Sequence, residues 1–173
     1  IELAGNKINL SLFPSGFVFN NQTLRSASIP PEQSISKVIT VENKANYESM
    51  PYEEGTLIIY SHGYFSPDER AFLIQLERVL SGIHTSCGTA YLHTGDLDYG
   101  GVKIFQYIKK RIFPKLYPYL MDTQTYDQYM AYGEPIETSK LEKLQRTAEP
   151  LLQPLVDKIC AEKQVIEQES FLF

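Results

Sequence analysis

The sequence predicts an α/β protein built on an open parallel sheet flanked by helices. Three stretches, "ISKVITVEN", "TLIIYSHG" and "TAYLHTGD", are nearly continuous apolar runs rich in β-branched residues, the pattern of parallel strands covered on both faces. Segments of helical periodicity separate and follow them, so the chain alternates strand and helix. The runs also end in Glu42, His62, Asp96 and Asp98, which fall where an open α/β sheet holds its ligand, beyond the carboxyl ends of the strands.

The elements follow in order. Residues 1–35 hold "KINLSLF" and "GFVFN", short alternating runs divided by Pro14, Ser15 and Gly16 and closed by Pro30 and Pro31. They predict a β extension, a hairpin or two edge strands, ahead of a main domain over 36–173. Between the second and third strands, Ser66-Pro67-Asp68-Glu69 supplies an N-cap, a proline in the first turn and a capping-box glutamate. Phe72, Leu73, Leu76, Val79 and Leu80 then recur at helical spacing. A second helix after Gly101 carries Ile104, Phe105, Ile108 and Ile112 and stops before Pro114. The stretch "PYLMDTQTYDQYMAYGEPIE" is expected to hold one more strand and a Tyr-rich loop. Ser139 with Glu142 reads as a capping box, Pro150 and Pro154 as breaks, and Leu155, Val156, Ile159 and Cys160 as the apolar face of a last helix ending near "IEQES".

Bulk composition narrows the function classes. A chain of 173 residues suits one domain and buries roughly 70% of its unfolded surface. A net charge of -5 argues against coating nucleic acid by electrostatics alone, because phosphate binding draws on surplus Lys and Arg. It leaves room for a nuclease, whose carboxylates make the site itself acidic. Two cysteines, Cys87 and Cys160, are too few for a disulfide framework or a zinc site and point to a reducing, cytoplasmic setting. No apolar run approaches the ~20 residues that span a bilayer. The start "IELAGNKINL" has neither a signal peptide's basic residues nor an initiating Met, so the chain reads as a domain excised from something longer.

The stretch "YLHTGDLDYGG" is the most informative. Side chains at i and i+2 of an extended chain point the same way, so Asp96 and Asp98 can aim at one point. Carboxylates roughly 5 Å apart in an effective dielectric of about 20 repel by about 3 kcal/mol. A divalent cation, a shared proton, a basic side chain or exposure to water must relieve that. With Glu42 ending the first strand, three carboxylates share one sheet edge, a hard-oxygen set suited to Mg²⁺. Gly95, Gly100 and Gly101 would let a phosphate approach the backbone. The plainer reading makes Asp98 a helix cap, Asp96 a solvent-facing side chain and Glu42 an exposed strand end.

Other candidates each have a plain alternative. His62 and His93 could act as general acids near neutral pH; His93, inside a buried strand, reads better as a satisfied core histidine, and His84 as a surface residue. Lys109, Lys110 and Arg111 suit the negative end of a helix. Tyr117, Tyr119, Tyr126, Tyr129 and Tyr132 read as packing rather than as nucleophiles. Glu167 and Glu169 read as a solvated helix end, able to add carboxylates if the chain folds back.

The order "VITVEN", "TGDLDYGG" and terminal "EQE" resembles the Toprim fold of topoisomerases, primases and some nucleases. More closely, residues 36–173 are similar to the carboxyl-terminal Toprim-like domain of JetD, the nuclease subunit of Wadjet bacterial anti-plasmid systems. The resemblance implies about four parallel strands, with Glu42 as metal ligand and general acid or base and Asp96 and Asp98 as the metal-binding D-x-D. Glu167 and Glu169 match the terminal motif, and His62 is a possible accessory residue. It further implies Mg²⁺- or Mn²⁺-dependent cleavage of double-stranded plasmid DNA, a homodimer, and a condensin-like SMC motor as partner. The sequence departs from the family pattern at His62-Gly63, where Gly-Gly is expected, and at Tyr99, where Pro is expected. Two alternatives stand beside the nuclease: a non-catalytic Toprim-like interaction module and a small-molecule phosphohydrolase. Haloacid-dehalogenase phosphatases also carry D-x-D after a strand, but on the opening strand and followed by Thr or Val.

Overall fold

The computed structural model describes residues 1–83 and 88–172; His84 and Cys87 lie outside them. A parallel sheet of four strands, ordered β5-β4-β6-β7, forms the centre. Its strands are β4 (Lys37–Val41), β5 (Thr56–Tyr60), β6 (Ala90–Thr94) and β7 (Leu116–Pro118). All four pair parallel to their neighbours, with Val38 opposite Leu57 on one side and Tyr91 on the other. The three apolar runs therefore become strands as expected. β4 is buried along nearly its whole length, whereas β5, at the sheet edge, is only partly covered.

Helices join the strands: α2 (Lys44–Ser49), α3 (Pro67–Ile83) and α4 (Tyr99–Arg111). The capping box forms, Glu69 Oε2 accepting from the Ser66 N–H at 2.7 Å and Ser66 Oγ from the Glu69 N–H at 3.4 Å. The short α2 is absent from the sequence reading; Asn43 opens it by accepting from the N–H groups of Ala45 and Asn46. The core gathers α3 and α4 around β6, with Leu76, Leu80, Phe105, Ile108 and Phe113 buried and Tyr91 stacked on Phe113 at 4.7 Å between centroids.

Several boundaries move. In the N-terminal region β1 (Glu2–Leu3) pairs antiparallel with β2 (Asn6–Lys7) and β3 (Ala27–Ser28). The hairpin thus turns at Ala4 and Gly5, both at positive φ. "GFVFN" is not a strand; α1 (Asn21–Ser26) follows it, capped by Asn20. Arg25 pairs with Asp68 at 2.8 Å and Phe19 meets Phe72, which fastens this region to α3.

The fourth strand comes earlier than expected, at Leu116, and "TQTYDQY" is helix α5 (Thr123–Tyr129), opened by Asp122 accepting from the Thr125 N–H at 2.7 Å. Then β8 (Glu134–Pro135), α6 (Thr138–Gln145), α7 (Gln153–Glu162) and β9 (Gln164–Val165) follow. Ser139 does not cap α6, which starts one residue earlier without a side-chain cap. The helical region breaks between α6 and α7, where Pro150 lies, and Pro154 sits in the first turn of α7 and opens it. That helix stops at Lys163, in the left-handed region at φ 56°, so the chain turns back to pair β9 with β8. A 3-10 helix, Gln168–Leu172, ends the described chain. Among the described residues no helix is long and apolar enough to cross a membrane.

Candidate metal centre

Topology brings the site together. From β4 the chain leaves to β5 on one side of the sheet, and from β6 it leaves to β7 on the other, so a crevice opens between the carboxyl ends of β4 and β6. Val41 pairs with Thr94, and the next residues, Glu42 and Gly95, leave the two strands side by side. The Glu42 N–H donates to the Thr94 carbonyl at 3.0 Å, and the Asp96 N–H donates to Glu42 Oε2 at 3.3 Å.

Leu97 sets the direction of the aspartates. It is fully buried and exchanges backbone hydrogen bonds with Ile166, so Asp96 and Asp98 flank it away from the core. The same bridge lays the C-terminal residues beside the D-x-D and brings Glu167 into its field. Each of the three carboxylates also holds backbone: Glu42 accepts from Asp96, Asp96 Oδ1 from the Gln168 N–H at 2.8 Å, and Asp98 Oδ1 from the Gly101 N–H at 2.7 Å. Asp98 is therefore the N-cap of α4, as the plainer reading had it. A carboxylate has about four acceptor sites, so this duty leaves lone pairs for a second partner.

Electrostatics shows the cost of this gathering. Burial, then repulsion from Asp96, pushes Glu42 up to about 7, with Asp98 and Glu167 adding to the rise. Burial also raises Asp96, opposed by the Gln168 N–H and increased by Asp98. Glu167, more open to solvent, is pushed up to about 7 by its partial burial, by Asp96 and Asp98, and by a hydrogen bond shared with Asp96. Glu169 adds a weaker repulsion on Asp96 and accepts from Asn43 Nδ2 at 3.0 Å.

These groups fit a hard divalent cation in chemical type: oxygen donors only, and a net negative cluster whose repulsion a cation would relieve. Among the described residues, no three His, Cys, Asp or Glu side chains already stand in ligating geometry. Glu42 and Asp96 are the two whose strand ends are directly joined. Mg²⁺ commonly takes one or two carboxylates and keeps its waters.

Two of the glycines make room for the chain's own atoms. A Cβ at Gly95 would overlap Glu42 Oε2 and stand 3.2 Å from His93 Nε2; one at Gly101 would overlap the Asp96 carbonyl. Both positions are filled by the chain itself, so glycine there admits Glu42 and closes α4 against the D-x-D. A Cβ at Gly100 would stand 3.1 Å from Asp98 Oδ1.

His62 pairs with Glu69, Nε2 to Oε1 at 3.0 Å, and so braces the loop against α3. Both His62 and Gly63 have positive φ, 42° and 96°, which is why glycine suits both positions. His93 is fully buried and only half satisfied. Thr40 Oγ1 lies 2.8 Å from its Nδ1, while Nε2 has no hydrogen-bond partner among the described residues. Burial holds its pKa down at about 3, so it is neutral, and no general acid, at physiological pH. Lys109 forms a half-buried pair with Glu149 at 2.6 Å, a structural tie rather than dipole complementarity alone. Tyr126 is buried and Tyr129 packs on Phe171, but Tyr117, Tyr119 and Tyr132 are exposed.

Sequence reasoning missed two contributors. Exposed Tyr64 stands close enough to Glu42 for the carboxylate to add to the rise of its phenol, which burial dominates. Buried Gln168, between the two glutamates of "EQE", touches four residues of the site's walls. Neither has a local signal, since both act through contacts distant in sequence.

Residues 8–173 match the family described as Wadjet protein JetD, C-terminal. The chain is also 34% identical over 174 residues to the Wadjet protein JetD of Bacillus cereus (strain Q1), an alignment covering 98% of this chain and 41% of that protein. It thus spans about two fifths of the length of that relative. With a match over nearly its whole length and a parallel sheet carrying acidic residues at its crevice, the chain belongs to the JetD C-terminal family of Wadjet proteins.

Proposed function

We propose that this domain is the metal-dependent DNA endonuclease part of a bacterial plasmid-defence complex of the Wadjet type, hydrolysing phosphodiester bonds in double-stranded DNA. The observation that carries the reading is the convergence of Glu42, Asp96, Asp98 and Glu167 at the β4/β6 crevice, with Glu42 and Glu167 raised to about 7 by burial and mutual repulsion. In this Toprim-like reading Glu42 and Asp96 would hold Mg²⁺ or Mn²⁺, supported by Asp98. When bound, the cation would polarise the phosphate and stabilise the leaving oxygen.

The remaining work belongs to the chain. In the metal-free protein Glu42, near 7, can take or return a proton at neutral pH, and a bound cation would favour its ionised form. Asp98, as N-cap, holds the positive end of α4 at the crevice, where it favours an anionic phosphate. The intact protein would act as a homodimer, cutting both strands in the cytoplasm, with condensin-like SMC subunits delivering plasmid DNA; the family membership supports the coarser part of this, a component of a multi-subunit Wadjet system.

One observation favours a second reading. Asp98 already has a structural role as a cap, and among the described residues no ligating trio is formed, as suits a non-catalytic interaction module. A plasmid-nicking assay of the intact protein with Mn²⁺ separates the two. Glu42→Ala and Asp96→Ala should each lower cutting by at least about a hundredfold, the scale of losing a group that stabilises transition-state charge. Cutting by both variants at the wild-type rate would end the assignment of this site.

A further inference from the structure

We propose that Gln168 is the positioning residue that fixes the separation of Glu42 and Asp96 before a cation arrives. The inference rests on reading those two carboxylates as the cation's ligands.

Gln168 is 1% exposed, and it uses backbone and side chain alike. Its N–H donates to Asp96 Oδ1 at 2.8 Å, and its carbonyl accepts from Asn46 Nδ2 at 3.0 Å. Its Oε1 accepts from the Asn43 N–H at 2.9 Å, and its Nε2 donates to Thr94 Oγ1 at 3.0 Å. The Asn43 N–H can only donate, so the atom facing it is the oxygen, and the amide's orientation is set by its surroundings.

One side chain thus bridges Asn43, two residues beyond β4, and Thr94, the last residue of β6, while its own backbone holds the Asp96 carboxylate. Beyond the paired strands, among the described residues the ends that carry the two carboxylates are otherwise joined by the bonds from the Glu42 N–H to Thr94 and from the Asp96 N–H to Glu42. Those carboxylates repel each other, so without the bridge the ends would spread and a cation would have to draw them back. Outer groups that hold metal ligands in place typically account for 10- to 100-fold in metal affinity.

The test is Mn²⁺ titration of the intact protein at pH 7.5, followed by loss of the free-ion electron paramagnetic resonance signal, beside the melting temperature of the metal-free protein. Gln168→Met keeps length and apolar volume and removes both side-chain bonds; it should weaken Mn²⁺ binding 10- to 100-fold while the protein stays folded at the titration temperature. Thr94→Val removes only the far bond and should weaken binding several-fold. Glu42→Gln and Asp96→Asn serve as references. If the references lose Mn²⁺ and both Gln168→Met and Thr94→Val bind as wild type, the positioning role is overturned and the site reading stands. If the references themselves bind as wild type, the site reading fails and this inference fails with it. Should Gln168→Met not fold, Thr94→Val decides alone: wild-type affinity overturns the proposal, and several-fold loss with a wild-type melting temperature supports it.

Discussion

At the scale of single residues, the acidic cluster makes the metal-free protein pH-sensitive in a direction that can be worked out. Glu42 sits at about 7 in the fold against an ordinary 4.5, so the folded state keeps its proton longer than the unfolded chain does. Its contribution is fully present below about pH 4.5 and is lost as pH rises through about 7. His93 runs the other way: held at about 3 against 6.5, it contributes above pH 6.5 and is lost as pH falls toward 3. Comparing wild type with Glu42→Gln isolates the first effect. Without divalent ions, the stability of the variant relative to wild type should rise by about 1–2 kcal/mol between pH 5 and pH 8, after allowing for partial exposure. Thermal melts across that range check it, and a pH-independent difference would contradict the account.

At the scale of elements, Asp98 joins α4 to the site, and the choice of substitution separates its two roles. Asparagine caps helices about as well as aspartate, so Asp98→Asn should leave stability within about 0.5 kcal/mol of wild type, whereas Asp98→Ala should lose about 1 kcal/mol. Chemical denaturation measures both. Equal losses would mean that the cap bond to Gly101 contributes nothing. The elements that could be read from the sequence were those whose cause is local. α3 announces itself by its capping box and apolar spacing, and β4 by its β-branched run. The N-terminal β extension was legible as such, but the positions of its strands were not, because two-residue strands have no periodicity and Phe19 packs on Phe72 of α3 rather than following a strand pattern. α5 was hidden for a similar reason: its tyrosines suggest a loop, while Asp122 capping and the burial of Tyr126 make a helix. In the site, Glu42, Asp96 and Asp98 were legible because each ends or follows a strand run. Gln168 was not, since all that distinguishes it is what it touches 72 to 125 residues away.

At the scale of the whole molecule, charge opposes the proposed substrate. A chain of net charge -5, with several of its acidic groups at the proposed site, should not hold duplex DNA at physiological salt when divalent ions are removed. Fluorescence anisotropy with a labelled duplex should show no saturable binding in chelator and a gain with Mn²⁺; tight binding in chelator would point to a basic face elsewhere as the principal contact. The walls of the crevice come from three distant parts of the chain: the end of β4, the end of β6 and the stretch around Gln168. A ribosome makes these in that order. While the polypeptide is still emerging, Glu42 and the two aspartates have been synthesised, but the residue that ties their strand ends together has not. A half-made chain, or one stopped early by a nonsense codon, therefore has the acids without the assembled crevice. The centre is complete only once residue 168 has left the exit tunnel.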